Sequence, residues 1–330
     1  MRTMQFRTEL NIPPAAAPIS LGQGFLTLGS CFAEVIGQQL LQNKATVLVN
    51  PFGTVFNPLS CHAHLKRIIT QDTKELEQGL VERQGQWFHY DFHSSFTASQ
   101  PDVLLLYLEE AIKDAHNCLQ HTQHLLLTWG TAFVYERQDT GHPVSNCHKV
   151  PQKQFTKRLL TVPEIQEDLE DTLNLLQTHF PGIHVILTVS PVRHLKDTLP
   201  LNSVSKSTLR VAAHFMQEQN KGVSYFPAYE LLLDDLRDYR FYSADLLHPS
   251  EMAETYIWQK FVATYLDAEF QQFIQEWQQV KQDLNHRPFA PASPSHQIFL
   301  QKLEAKLHHL SLRIDVTQEL AQVRGQLTSR

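Results

Sequence analysis

The sequence predicts a three-layer α/β/α fold, in which a mostly parallel five-stranded sheet is covered by helices and followed by a C-terminal helical extension. Two observations predict it. Short apolar, β-branched runs alternate with longer amphipathic ones, the pattern of strand-helix-strand units. A run rich in proline and small residues then interrupts the chain near its end, and helical periodicity resumes beyond it.

The strands read, in order, Phe25–Leu28, Thr46–Val49, Leu125–Thr128, His184–Val189 and Val223–Phe226. Helices read over Phe32–Leu41, Leu59–Thr70, Asp102–Leu119, Glu164–Phe180, Lys206–Gln219 and Ala228–Leu236, then as one long helix from Ser250 to about Asp283. Five strands with helices between them make the sheet flavodoxin-like, although periodicity does not encode strand order. Between Glu77 and Ser99, Trp87, Phe88, Tyr90, Phe92 and Phe96 interleave with His89 and His93, which predicts a hairpin or ordered loop lining a cleft or closing a local core.

The domains follow from this pattern: residues 1–20 as an N-terminal arm, 21–286 as the α/β domain, and 287–330 as a Pro-rich linker with an amphipathic helix. Arg287 to Pro294 is extended and ends the long helix. Beyond it Phe299, Leu300, Leu303, Leu307, Leu310 and Ile314 recur at helical spacing, and such a stripe must be buried. It packs back on the core, pairs with a second copy in a homo-oligomer, or carries a partner.

A net charge of −6 gives no basic field, so neither nucleic acid nor an anionic membrane is an expected partner. Cys31, Cys61, Cys118 and Cys147 lack the paired spacing of a zinc site or redox dithiol, and read as reduced thiols in a cytoplasm. Met1 to Pro18 contains no apolar h-region, and no stretch reaches the roughly 20 apolar residues of a membrane span. The expectation is a soluble, unexported, cytoplasmic protein. No cofactor or metal is expected: H-E-x-x-H is absent, and His62 and His64 do not share a helix face.

Three signals carry chemistry. Phe25 to Glu34 is an apolar strand ending in Gly29-Ser30 that passes straight into a helix. A hydroxyl there sits at the carboxyl edge of a parallel sheet beside helix N–H groups, which suits a nucleophile whose product is an oxyanion; the same position also suits a plain N-cap. Far downstream, Asp245 and His248 lie three apart before the last long helix, so a carboxylate can fix an imidazole tautomer while the other ring nitrogen faces the serine. The third signal is a set of oxyanion donors: the N–H of Ser30, Gly53 after the second strand, Thr131 in the Gly130-Thr131 turn, and the Asn146 side-chain amide.

Around these, Asn57, His93, Arg193 and His194 read as substrate-binding residues. Arg193 and His194 follow the fourth strand at the same sheet edge, where they contact an anionic or sugar substrate; for Arg193 a salt bridge to an acid in residues 234–238 is the alternative, and for His93 a structural role. Ser205-Lys206 reads as a cap of the next helix. Cys31 neighbours Ser30 but points about 100° around the helix, which disfavours a cysteine hydrolase.

The order of these signals is the layout of the SGNH or GDSL hydrolases. The segments GSCFAEVIG, NPFGTVFNP, TWGTAFVYE, NCHKVP, SPVRHLKD and YELLLDDLRDYRFYSADLLHP, spanning about Phe25 to Phe261, closely resemble the bacterial GSCFA family. The resemblance implies an SGNH-type fold with Ser30 as nucleophile and Asp245–His248 as its partners. The chain departs from the superfamily at Gly130-Thr131-Ala132-Phe133, where Gly-x-Asn-Asp is usual, so the asparagine donor is absent and Asn146 or the Thr131 hydroxyl substitutes. The expected activity is that of a serine ester hydrolase of the acyl or acetyl esterase type. Its substrate is a small-molecule or carbohydrate ester, with an O-acylated carbohydrate as the guess. An acyltransferase, or a non-catalytic carbohydrate or acyl-ligand binder on the same fold, is the alternative.

Overall fold

Alternation along the central strands decides the architecture. In the computed structural model, which describes residues 7–327, Leu125 and Leu127 point to one core while Leu126 points to another, and Val185 and Leu187 are likewise opposed to Ile186. Strands buried on both faces need helices on both faces, and that is the observed arrangement.

The chain enters through β1 (Gly24–Gly29), α1 (Cys31–Gln42), β2 (Thr46–Val49) and α2 (Pro58–Thr70). A hairpin of β3 (Leu80–Arg83) and β4 (Gln86–His89) leads to α3 (Pro101–Leu119) and β5 (Thr122–Trp129). Next come β6 (Phe133–Arg137), β7 (Pro143–Val144), β8 (Phe155–Leu159) and α4 (Val162–His179), then β9 (His184–Val189), α5 (Leu199–Gln219) and β10 (Val223–Phe226). The rest is helical: α6 (Ala228–Glu230), α7 (Glu251–Tyr265), α8 (Ala268–Leu284), α9 (Pro294–Leu310) and α10 (Thr317–Arg324).

The main sheet has the order β10-β9-β5-β1-β2, with every pair parallel. Strand order reverses between β1 and β5, so their carboxyl ends flank the crevice in which open α/β sheets hold ligands. Residues of α2, α3, α4 and α5 pack on one face, whereas α1, α7, α8 and α9 pack on the other. Among the described residues, no helix is long and apolar enough to cross a membrane.

The structure corrects several expected elements. The long helix is two, because the backbone of Ile19 pairs between them: its N–H donates to the Tyr265 carbonyl at 2.6 Å and its carbonyl accepts from Asp267 N–H at 3.0 Å. Asp267 then caps α8 through Phe270 N–H at 2.7 Å. The helix expected over Ala228–Leu236 is a single α turn that widens into a π-helix over Leu231–Leu236. A small antiparallel sheet, β7-β6-β8, was not predicted.

The C-terminal stripe packs back on the core, but as two helices with Ile314 in the turn between them. Leu300, Leu303, Leu307 and Leu310 of α9 join Trp277 and Val280 of α8 in one buried cluster with Phe25 and Leu126. Leu307→Ala is therefore expected to lower the unfolding free energy by about 2–5 kcal/mol, read as a shift in urea midpoint.

Candidate active site

Ser30 is placed by strain that only glycine relieves. Gly29 has φ of +135°, and a Cβ there would lie 2.2 Å from the Thr128 carbonyl oxygen. The chain thus turns sharply out of β1, and Ser30 becomes the N-cap of α1 with its hydroxyl accepting from Phe32 N–H at 3.4 Å. That residue is buried, being 1% exposed, at the reversal point of the sheet.

Asp245 and His248 form the expected pair. His248 Nδ1 lies 2.6 Å from Asp245 Oδ2, while Asp245 Oδ1 accepts the N–H groups of Leu247 and His248 at 2.9 and 3.1 Å. The imidazole contact and these N–H bonds hold the Asp245 carboxyl down at about 2, so it is ionised at neutral pH. The tight turn carries Leu246 at φ +60°, and Ser243 N–H to His248 carbonyl closes it at 2.8 Å. Arg193 N–H fastens it to the end of β9 through the Leu247 carbonyl at 3.2 Å. Both side chains remain about half exposed, and Ser30 Oγ makes no hydrogen bond to His248. Nucleophile–base contacts commonly close only in the substrate complex.

His194 is the imidazole beside Ser30. One carbon placed on Gly130 would touch both His194 Nε2 and Ser30 Cβ, each at 3.3 Å, and the Phe56 carbonyl oxygen at 3.2 Å. The glycine keeps open a gap one atom wide between serine and imidazole. His194 Nε2 is buried and has no hydrogen-bond partner among the described residues. Burial, then the charges of Lys206, His248 and Lys157, hold its pKa down at about 4.

Beneath this gap lies Lys206, wholly buried and well inside its helix rather than at the cap. Helix α5 begins seven residues earlier, at Leu199, so Lys206 falls in the apolar stripe with Leu209 and Ala213. Its ammonium donates to the Gly130 and Ser190 carbonyls at 2.6 and 2.7 Å, tying together the ends of β5 and β9. Burial pushes its pKa down to about 7. A lysine in phase with an apolar face is the signal that could have found it.

The expected oxyanion donors fare differently. Ser30 N–H donates to the Thr128 carbonyl at 3.0 Å, and Gly53 N–H to the Asn50 carbonyl at 2.8 Å, so both are committed. Gly53 is required for another reason: at φ +77° its missing side chain leaves room for His93, whose Cβ lies 2.2 Å from where a Cβ on Gly53 would be. The Thr131 hydroxyl is engaged with Ser205 Oγ at 3.0 Å and accepts from Phe133 N–H at 3.1 Å. Asn146 Oδ1 accepts from His148 N–H at 2.9 Å, which leaves its amide hydrogens unused.

Asn57, His93, Thr131, Asn146 and His194 all line one cleft of about 570 Å³, walled by the β6–β8 sheet with Phe56, Phe133 and Tyr135. That volume suits a small ligand. Asn57 also caps α2, accepting from Ser60 N–H at 2.9 Å. Lys149, Lys157 and Lys196 stand on the cleft's rim, and Lys157 pairs with Asp197. Arg193 is a correction: it leaves the cleft, stacks its guanidinium 4.0 Å from the Tyr242 ring centre, and makes no ion pair with residues 234–238. The cleft-facing role stays with His194 alone of that pair. Cys31 is half-buried and its thiol is pushed up by burial, so it is not a thiolate at neutral pH.

Compared with known proteins, the chain matches the GSCFA family model over residues 24–261 and the model of the GSCFA domain protein, C-terminal domain, over residues 277–329. No curated protein matches it. Among solved structures it is similar to one described as "a putative platelet activating factor from Streptococcus pneumonia", with 15% identity, 73% of this chain and 85% of that chain covered, and a TM-score of 0.37.

Proposed function

The chain belongs to the GSCFA family, and from that premise we propose that it is a serine ester hydrolase of the SGNH type, with Ser30 as nucleophile and His248 and Asp245 as base and orienting acid. The observation that carries the reading is the buried Ser30 at the sheet's reversal point, where its Cβ and His194 Nε2 each lie 3.3 Å from the place a side-chain carbon on Gly130 would take, on the rim to which the Asp245–His248 turn is fastened. Ser30 Oγ bonds to the ester carbonyl carbon while its proton passes to His248 Nε2, and Asp245 stabilises the imidazolium. Collapse of the tetrahedral adduct expels the alcohol with that proton. Water repeats the sequence on the acyl-enzyme and restores the serine.

The lining of the cleft supports an O-acylated carbohydrate as substrate. Phe56, Phe133 and Tyr135 offer apolar faces to a sugar ring, and the lysines and Asn146 offer donors to its oxygens. The test is covalent labelling by a fluorophosphonate, mapped by mass spectrometry, beside a panel of short acyl esters and acetylated glycans. Modification of Ser30 together with turnover is expected. A chain that neither labels at Ser30 nor cleaves any ester is not a serine hydrolase.

Gly130 offers a second test. It does not adopt a left-handed conformation, so alanine is tolerated by its backbone, yet the new methyl group would fill the gap between Ser30 and His194. Gly130→Ala is expected to lower kcat/KM roughly a hundredfold through misplacement of the reacting groups, with little change in melting temperature. Full activity in that variant would show that the gap is not where the carbonyl sits.

A further inference from the structure

Resting on the hydrolase reading, we propose that His194 is a further catalytic residue, whose Nε2–H donates to the substrate's carbonyl oxygen as that oxygen becomes an anion. The need for such a donor is physical. An oxyanion beside Ser30 requires hydrogen-bond donors held in place before the reaction, and the backbone groups at the expected positions are spent elsewhere. Ser30 N–H serves Thr128, Gly53 N–H serves Asn50, and the N–H groups of Gly130 and Thr131 both serve the Phe56 carbonyl, at 2.7 and 2.9 Å. The Gly-x-Asn-Asp asparagine is missing from the sequence at the same turn.

His194 meets the requirements of position, freedom and rigidity. Its Nε2 is buried, lacks a partner among the described residues and faces the gap at Gly130 across from Ser30. A buried ring nitrogen with nothing to bond is costly unless a ligand completes it. Asn202 Oδ1 anchors the residue's backbone by accepting its N–H at 2.9 Å, and the ring makes edge contact with Phe56, the ring centres 5.7 Å apart at 78°. Lys206, Lys157 and His248 are the charged or titratable groups felt at the ring, and the two lysines, with His248 once it holds the serine proton, favour an anion beside it.

Burial first, then the nearby Lys206 and Lys157, keep the imidazole neutral at pH 7. A neutral imidazole stabilises a developing oxyanion by hydrogen bonding without giving up its proton. The division of labour is then clean. As Ser30 Oγ bonds to carbon, the carbonyl π pair moves onto oxygen, His248 takes the serine proton, and His194 keeps its own throughout. When the carbonyl re-forms, the oxyanion leaves His194's N–H and the alcohol departs with the proton from His248.

The experiment compares wild type with His194→Ala and His194→Gln on the best ester from the panel. His194→Ala is expected to lower kcat about a hundredfold with KM little changed, and His194→Gln, whose amide presents an N–H, to recover about tenfold of that loss. Proton NMR of histidine labelled with ¹⁵N supplies the readout that a packing role would not move. In the phosphonate adduct of Ser30 the phosphoryl oxygen occupies the oxyanion's place, so a protonated His194 Nε2 should shift downfield. An unshifted Nε2–H, a loss confined to KM, or wild-type kcat in His194→Ala would each overturn the assignment while leaving Ser30 as nucleophile. Turnover that survives Ser30→Ala instead removes the hydrolase reading, and this one with it.

Discussion

Ser30→Ala is expected, on the proposed hydrolase reading, to lower ester turnover by roughly 10⁴-fold or more, since a serine nucleophile would have no substitute in the acyl transfer step. Neighbouring groups do not fill the role. The Cys31 thiol is protonated at neutral pH because burial raises its pKa, and the Thr131 hydroxyl is engaged with Ser205. Folding should hardly register the change. The hydroxyl's one hydrogen bond is a long cap contact of 3.4 Å to Phe32 N–H, so its loss costs about 1 kcal/mol of the kind typical of N-caps. Steady-state kinetics and urea unfolding of the same variant separate the two effects. Turnover within tenfold of wild type would mean that another group attacks, and loss of both folding and turnover would mean that Ser30 is a structural cap.

How far the sequence could be read follows from the range of the interactions involved. The inner strands β1, β5 and β9 were legible because residues buried on both faces leave runs such as LTLG, LLLTW and VILTV, and the partly buried edge strands β2 and β10 were legible as short runs between helices. The pairing of Asp245 with His248 was also legible, being a contact within one turn. The β6–β8 sheet was not, since FVYER and FTKRL mix charges with aromatics and find their register only against each other. The break at Leu266 lay hidden for the same reason: it is made by Ile19, from the far end of the chain.

The direction of the N–H groups around Ser30 was the least legible part. Which way an N–H points depends on backbone angles and on partners remote in sequence, and Ser30 N–H turns toward a strand that begins only at Thr122. Residue type announced a donor at Gly53, where the glycine instead makes room for His93. Conversely, nothing in Ser190 to His194 distinguishes the imidazole that faces the gap from the guanidinium that turns away onto Tyr242.

Acid should unfold this chain well above the range in which carboxylates titrate. His64, His89 and His124 are 1%, 1% and 3% exposed, and burial pushes each down from the ordinary 6.5 to about 4. In the unfolded chain all three bind protons below about pH 6.5, whereas in the fold they stay neutral until about pH 4, so the unfolded state takes up more protons throughout that window. Their stabilisation is complete above pH 6.5 and lost as pH falls toward 4. Three extra protons correspond to a slope of about 4 kcal/mol per pH unit where the unfolded chain holds all three and the fold none, against a total stability on the order of 5–15 kcal/mol. His142 has the opposite sign, its pKa raised first by its hydrogen bond with Asp91; its contribution is full below pH 6.5 and fades as pH rises, outside the acid window. Urea titrations at pH 7, 6 and 5 should therefore show a steep loss of midpoint, and His124→Gln should flatten the pH slope by about 1.4 kcal/mol per unit. A midpoint unchanged between pH 7 and 5 would mean that these imidazoles reach solvent or find proton acceptors in the folded chain.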